Sequence, residues 1–348
     1  MTGMPDEVVR LHEVTKEFTA RSFPRRVRAV SNLDLVVERG QVLGLLGPNG
    51  CGKTTTIAMM CGLISPTGGD ITISGFNLRN RRKEALSRIG AVLDRARALY
   101  PRLTPLQNME YFTAMKGMRR RAVANGLAWL ERFGAGEYAR VPVNNLSLGT
   151  RQKAVLACAM AVEPDVLLLD EPTLGLDVPS SLELRSILSS IAADKGTSVI
   201  ISTHQMDVAQ SVCHKVCIMH QGEVLVQSSV GQLLDVFASR AYSISIRGRL
   251  TGDLRHDLER AGTVVSSSEY SGAAGDFSSI HMEFVSENAL FEAIDSIRAR
   301  GVEVESVGRL EPCLQSAYLR ITGGEKPDVR GSMGRVEKGS PEEVLKPA

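Results

Sequence analysis

An excess of charge of either sign is missing from this chain. Its 41 Lys and Arg stand against 39 Asp and Glu, a formal charge of +2, too little for a partner chosen by bulk attraction to nucleic acid or anionic lipid. Nucleic acid is therefore not expected as a partner, and any partner must be met through a specific surface. Long apolar runs are missing too. No stretch approaches the roughly 18 residues that a membrane-crossing helix needs, and Met1-Thr-Gly-Met-Pro-Asp-Glu lacks the charged-then-apolar pattern of an export signal. The chain is expected to stay in the cytosol. Six cysteines include no Cys-x-x-Cys pair, which argues against a disulfide framework and for reduced thiols used as small core residues. Cys213, His214, Cys217 and His220 lie close together, but their spacing fits neither common zinc pattern, and Val216-Cys217-Ile218-Met219 reads as a strand.

The 348 residues leave room for about two domains and a sizeable core. One stretch organises the rest. Gly47-Pro48-Asn49-Gly50-Cys51-Gly52-Lys53-Thr54 follows the apolar run Val42 to Leu46 and leads into Thr55-Thr56-Ile57-Ala58-Met59-Met60, the strand, glycine loop and helix of a P-loop. The glycines let several backbone N–H groups turn into one hollow, and the following helix N-terminus adds partial positive charge, so the hollow suits a di- or triphosphate. Lys53 adds a mobile full charge against the β- and γ-phosphates, and the Thr54 hydroxyl is placed to coordinate Mg²⁺.

Upstream, residues 7–14 alternate apolar and polar, and 33–37 do so more loosely, which predicts a small β-layer of half-buried strands. Lys16-Glu-Phe18 and the Arg-rich segment holding Arg21, Arg25, Arg26 and Arg28 read as a solvated loop between them. Phe18 reads either as a core aromatic or as a ring that stacks on a nucleotide base. Downstream, Gly68 to Gly75 is a strand bounded by turn glycines, and Arg79-Asn-Arg-Arg-Lys83 is a solvated face or a phosphate or lipid contact. Ile89 to Leu93 is a buried strand. Thr104-Pro105 opens helical sequence running to about Tyr138, with a cap followed by Pro at the first helical position.

The sheet is expected to resume at Val166-Leu-Leu-Leu-Asp170-Glu171, a strand buried on both faces with two carboxylates at its C-terminal end, where α/β proteins place ligands. Asp170 is a candidate for holding Mg²⁺ and Glu171 for polarising an attacking water. Ser198 to Thr203 is a further buried strand ending at His204, whose imidazole is either structural or a γ-phosphate contact.

The assembled residues resemble the nucleotide-binding subunit of ABC transporters. The deciding piece is Leu146-Ser147-Leu148-Gly149-Thr150-Arg151-Gln152-Lys153, which is similar to that family's Leu-Ser-Gly-Gly-Gln signature and stands about twenty residues before the carboxylate strand. Ser147 and the Gly149 amide at a helix N-terminus form a second anion site. The resemblance implies a P-loop NTPase of the ABC cassette type over residues 7–238: an α/β fold with a RecA-like core sheet, an antiparallel β-layer and a helical subdomain at about 95–160. It implies binding and hydrolysis of ATP with Mg²⁺, in a homodimer whose Ser147 and Gly149 meet the γ-phosphate held by the other copy. Residue by residue, Phe18 would stack on adenine and Gly47 to Thr55 would form Walker A. Asp170 and Glu171 would be the Walker B metal-site and catalytic carboxylates, Gly175-Leu176-Asp177 the D-loop across the dimer, and His204 the switch histidine.

Four positions depart from the family pattern. Leu148 and Thr150 replace Gly and Gln while Ser147 and Gly149 are kept. Asp94 stands where the family has a Gln that touches Mg²⁺ and the attacking water; a carboxylate can still bind metal there, but it is shorter and charged, so altered coupling or turnover is expected. Cys51 places a thiol in Walker A, and inactivation by N-ethylmaleimide with protection by ATP is expected.

From residue 240 the composition changes. Ala241 to Arg247, Ile280 to Val285 and Val302 to Val307 read as strands, Asp253 to Ala261 as a helix, and Leu290, Ala293, Ile294 and Ile297 as the apolar stripe of another. This small α+β unit, 240–322, is similar to the C-terminal extension of drug-, lipid- and polysaccharide-exporting ATPases of the ABC-2 class, with a regulatory or dimer-stabilising role. Residues 323–348, with few apolar side chains, are expected to be disordered. The resemblance implies a separate ABC-2 type permease and a peripheral place on the cytoplasmic face of the cell membrane. The alternatives are an importer subunit, a regulatory ATPase with weak turnover, and a soluble ABC ATPase acting on ribosomes or DNA; the last usually carries two cassettes or zinc and coiled-coil insertions, where this chain has one cassette and neither.

Overall fold

The computed structural model describes residues 7–19, 26–93, 98–118, 120–237, 240–272, 275–284, 286–310 and 313–323. Asp94 and residues 324–348 lie outside them. The chain opens with β1 (Glu7–Thr19) and β2 (Arg26–Glu38), an antiparallel pair in which Leu11 faces Leu35. These strands are longer than their alternation predicts. Lys16 and Phe18 are not in a loop but paired with Val30 and Val27. The pattern is broken because bulges interrupt the ladder, with Glu13 and Asn32 at φ 51° and 47°, and each bulge moves the following side chains to the other face.

β3 (Val42–Leu46) then enters a different sheet and is followed by α1 (Lys53–Met60). The chain returns to the first layer with β4 (Gly68–Ile73) and β5 (Phe76–Asn77), completing an antiparallel sheet of order β2-β1-β4-β5. α2 (Arg82–Ser87) takes up part of the basic stretch and leads to β6 (Ile89–Val92). A helical insertion follows. α3 (Pro105–Met115) begins with Thr104 and Gln107 capping one another's backbone amides and Pro105 at the first position, as the sequence predicts. α4 (Arg120–Arg132) and α5 (Leu148–Met160) complete the insertion, joined by short 3₁₀ turns.

The second sheet resumes with β7 (Val166–Asp170), α6 (Val178–Lys195), β8 (Ser198–Thr203), α7 (Met206–Val212), β9 (Lys215–His220), β10 (Glu223–Ser229) and α8 (Val230–Val236). Its order is β10-β9-β3-β8-β7-β6, parallel except for the β9–β10 hairpin. Successive side chains of the central strands feed two cores. Leu43, Leu45 and Leu168 pack with Leu11, Leu35 and Ile57 beneath the antiparallel layer, while Leu46, Leu167 and Leu169 pack with Trp129, Met160 and Leu188 on the helical side. Burial on both faces is why these strands read as unbroken apolar runs. It also sets the ends of β3, β7 and β8 side by side.

The remaining chain is β11 (Arg240–Arg247), α9 (Gly252–Ala261), β12 (Thr263–Gly272), β13 (Gly275–Phe284), α10 (Glu287–Ala299) and β14 (Val304–Arg309), in sheet order β12-β13-β11-β14, a split βαβ arrangement. Ile244, Ile280, Leu258 and Ile297 form its own core. The final helix, α11 (Leu314–Thr322), buries Leu314, Ala317 and Ile321 in the helical-side core of the larger sheet instead. Among the described residues no helix is long and apolar enough to cross a membrane.

Candidate functional site

The loop after β3 runs between two fixed walls. Gly47, at φ 152°, would place a Cβ 2.2 Å from the Met219 carbonyl oxygen of β9, and Gly52, at φ 111°, would place one 2.5 Å from the Ala29 carbonyl oxygen of β2. Only glycine lets the backbone pass there. Pro48, Asn49 and Gly50 are exposed between those contacts, Cys51, Gly52 and Lys53 are buried, and Thr55 is half-buried. The Lys53 ammonium donates to the Gly47 carbonyl at 2.7 Å and to the Pro48 carbonyl at 3.0 Å, so its charge is held inside the curl of the loop. The Cys51 thiol turns away from the loop's mouth. Cys51 is 3% exposed, with its Sγ 4.0 Å from Lys53 Nζ. The expectation of ready alkylation by N-ethylmaleimide fails on this burial.

Neighbouring strand ends supply the rest. Thr54 Oγ1, on the first turn of α1, donates to Asp170 Oδ1 at 3.2 Å, and Ser202 of β8 donates to the same carboxylate oxygen. Glu171 takes the left-handed conformation at φ 49°, held by its N–H bond to the Ser202 carbonyl at 3.0 Å. A non-glycine residue there costs about 1–3 kcal/mol, the kind of strain that collects at functional sites. Its Oε1 lies 2.8 Å from His204 Nδ1, while Oε2 is buried with no hydrogen-bond partner among the described residues. That oxygen is an acceptor with its hydrogen-bonding capacity still open at the site. The structure thus brings Lys53, Thr54, Asp170, Glu171 and His204 to one edge. Ser202 was not legible in the sequence: its hydroxyl is one more residue of a wholly buried strand.

Phe18 is not core. It is 42% exposed, under the Lys16 ammonium at 5.1 Å, and pairs with Val27, two residues along β2 from the Ala29 that walls Gly52. Asp94 lies outside the described residues; the strand before it, β6, is the neighbour of β7.

The second group of predicted residues forms a separate turn pair. Ser147 caps α5, accepting from the Thr150 amide at 3.1 Å, and Asp177 caps α6, accepting from the Ser180 amide at 2.9 Å. Bonds from the Ser180 side chain and amide hold the Asp177 carboxyl below its ordinary range. A Cβ on Gly149 would meet Ser180 Oγ at 2.7 Å, so the two helix starts touch. Leu148, Leu174, Val178 and Leu182 are exposed around them.

Behind β6 lies a groove of about 690 Å³ lined by Cys61, Leu93, Phe112, Val155 and Cys158 among others, with Lys116 donating to the Ile89 carbonyl at 2.9 Å. Burial lowers the Lys116 pKa and pushes the Cys61 thiol up to about 12.

A glycine loop closing a parallel strand, a lysine within it and a carboxylate strand two places away define a P-loop nucleoside triphosphatase. Residues 30–174 match the family described as ABC transporter. The chain is 36% identical over 210 residues to the ABC transporter ATP-binding protein NatA of Bacillus subtilis, an alignment covering 60% of this chain and 85% of that protein. It is 31% identical over 304 residues to the daunorubicin resistance ATP-binding protein DrrA3 of Streptomyces coeruleorubidus, covering 86% and 92%. The dimeric structure of MJ0796, a bacterial ABC transporter cassette, aligns at 26% identity and a TM-score of 0.57 over 64% of this chain and 98% of that one. The chain belongs to the ABC transporter ATP-binding family and has its ATP-hydrolysing cassette.

Proposed function

We propose that this chain powers export through a separate ABC-2 type membrane permease, as a homodimer lying peripherally on the cytoplasmic face of the membrane. The observation that carries this reading is the division of the site. The phosphate loop, Asp170, Glu171 and His204 share one edge, whereas Ser147 and Gly149 adjoin the Asp177 turn behind an exposed apolar rim of Leu148, Leu174, Val178 and Leu182. Two copies arranged head to tail would cover that rim and close each phosphate loop with the other's Ser147 turn. A dimer was solved for the MJ0796 cassette. Export is favoured because the match to DrrA3, named for drug resistance, runs on past the cassette through most of the C-terminal unit.

In this reading the Gly47 to Thr55 loop holds the phosphates, Lys53 reaches the β- and γ-phosphates and Phe18 stacks on adenine. Mg²⁺ fits the floor of the site, because Thr54 and Asp170 offer two hard oxygens 3.2 Å apart beside the loop. Asp94, which stands at the family's Gln position in the sequence, would add a third. When bound, the ion supplies charge neutralisation at the phosphates. Glu171 takes the proton of the attacking water, its buried Oε2 being the acceptor still open, and His204 holds Glu171 through Nδ1 while Nε2 meets the γ-phosphate. The groove beside Phe112 is where the permease's cytoplasmic helices dock, and Lys116 at its side calls for an acidic or helix-C-terminal partner.

Co-expression with a membrane protein of the ABC-2 type, sought in the neighbouring reading frames, tests the assignment. The chain should move to the membrane fraction, and Phe112→Asp should release it while leaving ATP hydrolysis by the purified chain in place. A chain that stays in the soluble fraction with that protein present refutes the pairing, and an adjoining gene for a solute-binding protein would favour import.

A further inference from the structure

After α8 the chain builds the distal sheet and then comes back. On α11, Leu314 and Ala317 are fully buried and Ile321 nearly so, at i, i+3 and i+7. They lie in the same cluster as Ala209 and Val212 of α7 and Leu233 of α8. Cys313, at the N-cap of α11, makes no side-chain bond to the helix's amides. The cap comes from another helix: the Leu314 N–H donates to Gln210 Oε1 of α7 at 2.8 Å. At the other end Arg320 pairs with Glu283 of β13. α11 is therefore fastened to α7 at one end and to the distal sheet at the other.

α7 is the helix that follows His204. With 7 residues it is too short to persist without packing. Its own N-cap, Gln205, makes no bond to the helix amides and instead accepts from Thr173 Oγ1 at 2.6 Å. The position of α7, and with it the direction in which His204 leaves β8, depends on what covers the helix from outside. α11 is part of that cover.

We infer that α11 is a strap that positions His204 for hydrolysis, with Gln210 as its positioning residue. This rests on the reading of Glu171 and His204 as the hydrolytic pair. It also gives the distal unit a route to the ATP site, since Glu283 on its sheet holds the strap's far end.

The test uses the full chain carrying Gln210→Ala, Gln210→Glu or Ala317→Asp, with His204→Ala alongside. Gln210→Ala should lower kcat about 3- to 10-fold, the worth of one hydrogen bond, with KM for ATP and binding of a fluorescent ATP analogue unchanged. Gln210→Glu keeps an acceptor oxygen at the α11 N-terminus and should restore kcat to within about twofold. Ala317→Asp should lower kcat at least as far; if it fails to fold, the two Gln210 variants decide. Gln210→Ala with wild-type kcat but a lower melting temperature makes the contact merely structural and overturns the inference, as does a change confined to KM. His204→Ala separates the two levels: if it abolishes turnover while the Gln210 variants do nothing, the strap alone is refuted, and if it turns over like wild type, the hydrolytic pair beneath the strap is refuted.

Discussion

Glu171→Gln removes one proton acceptor and little else. The side chain is 18% exposed, and glutamine keeps its length, its planar end and an oxygen to face His204 Nδ1, which stands 2.8 Å from Oε1. No hydrogen bond is lost at Oε2, because it has no partner among the described residues. Folding stability should therefore stay within about 1 kcal/mol of wild type. Loss of a general base costs about 10²- to 10⁴-fold in rate, or about 3–5 kcal/mol of transition-state stabilisation. Because Lys53, Thr54 and the loop amides are untouched, ATP should bind as before. The assay is phosphate release at saturating ATP, with ATP affinity from a fluorescent analogue and dimer content from size-exclusion chromatography. The expected result is turnover reduced by that factor with an ATP-bound dimer accumulating. Turnover within about threefold of wild type would refute Glu171 as the base, and a wild type as inactive as the variant would favour a regulatory protein over an ATPase motor.

Other outcomes follow from the same geometry. Gly47→Ala sets a Cβ against the Met219 carbonyl oxygen at 2.2 Å, backbone against backbone, so the loop must move; ATP affinity should fall more than about tenfold with about 1–3 kcal/mol lost from stability, measured by titration and thermal melting. Native protein should resist N-ethylmaleimide at Cys51 with or without ATP, since the thiol is buried, and mass spectrometry should find that residue labelled only after unfolding. Burial raises Cys61, Cys158, Cys213 and Cys217 from 9.0 to about 12. The folded chain keeps those protons when the unfolded chain releases them, so this stability is whole below pH 9 and is lost as pH rises toward 12. The melting temperature should fall through that window, and less steeply in a Cys158→Ala/Cys217→Ala variant; a flat profile would contradict the linkage.

What could be read in advance followed from what each residue does locally. β3, β7 and β8 announce themselves because burial on both faces demands apolar runs, and the glycine loop because Gly47 and Gly52 sit where a Cβ would strike backbone. The first two strands were read short, since the bulges at Glu13 and Asn32 break the alternation on which such a reading rests. β12 was not read at all: only Val264 of this edge strand packs on the distal core, and the exposed run Ser266, Ser267, Ser268 and Tyr270 has no alternating hydrophobic face to signal it. Ser202, which bonds Asp170 and orders Glu171, had no pattern to betray it. The α11 cap was beyond reach for another reason, as Gln210 and Leu314 stand 104 residues apart and only the return of the chain joins them.

The central claim is that each ATP site is shared between two copies, and mixing two inactive variants tests it directly. Lys53→Ala disables the phosphate loop and Ser147→Arg the turn that would close its partner's loop, so each homodimer has two broken sites. A mixed dimer has one site broken twice and one intact. Turnover should therefore return on mixing to about a quarter of wild type, since about half the dimers are mixed and each has one working site of two. A mixture that stays as inactive as its components, although the two variants exchange partners, would contradict the shared site.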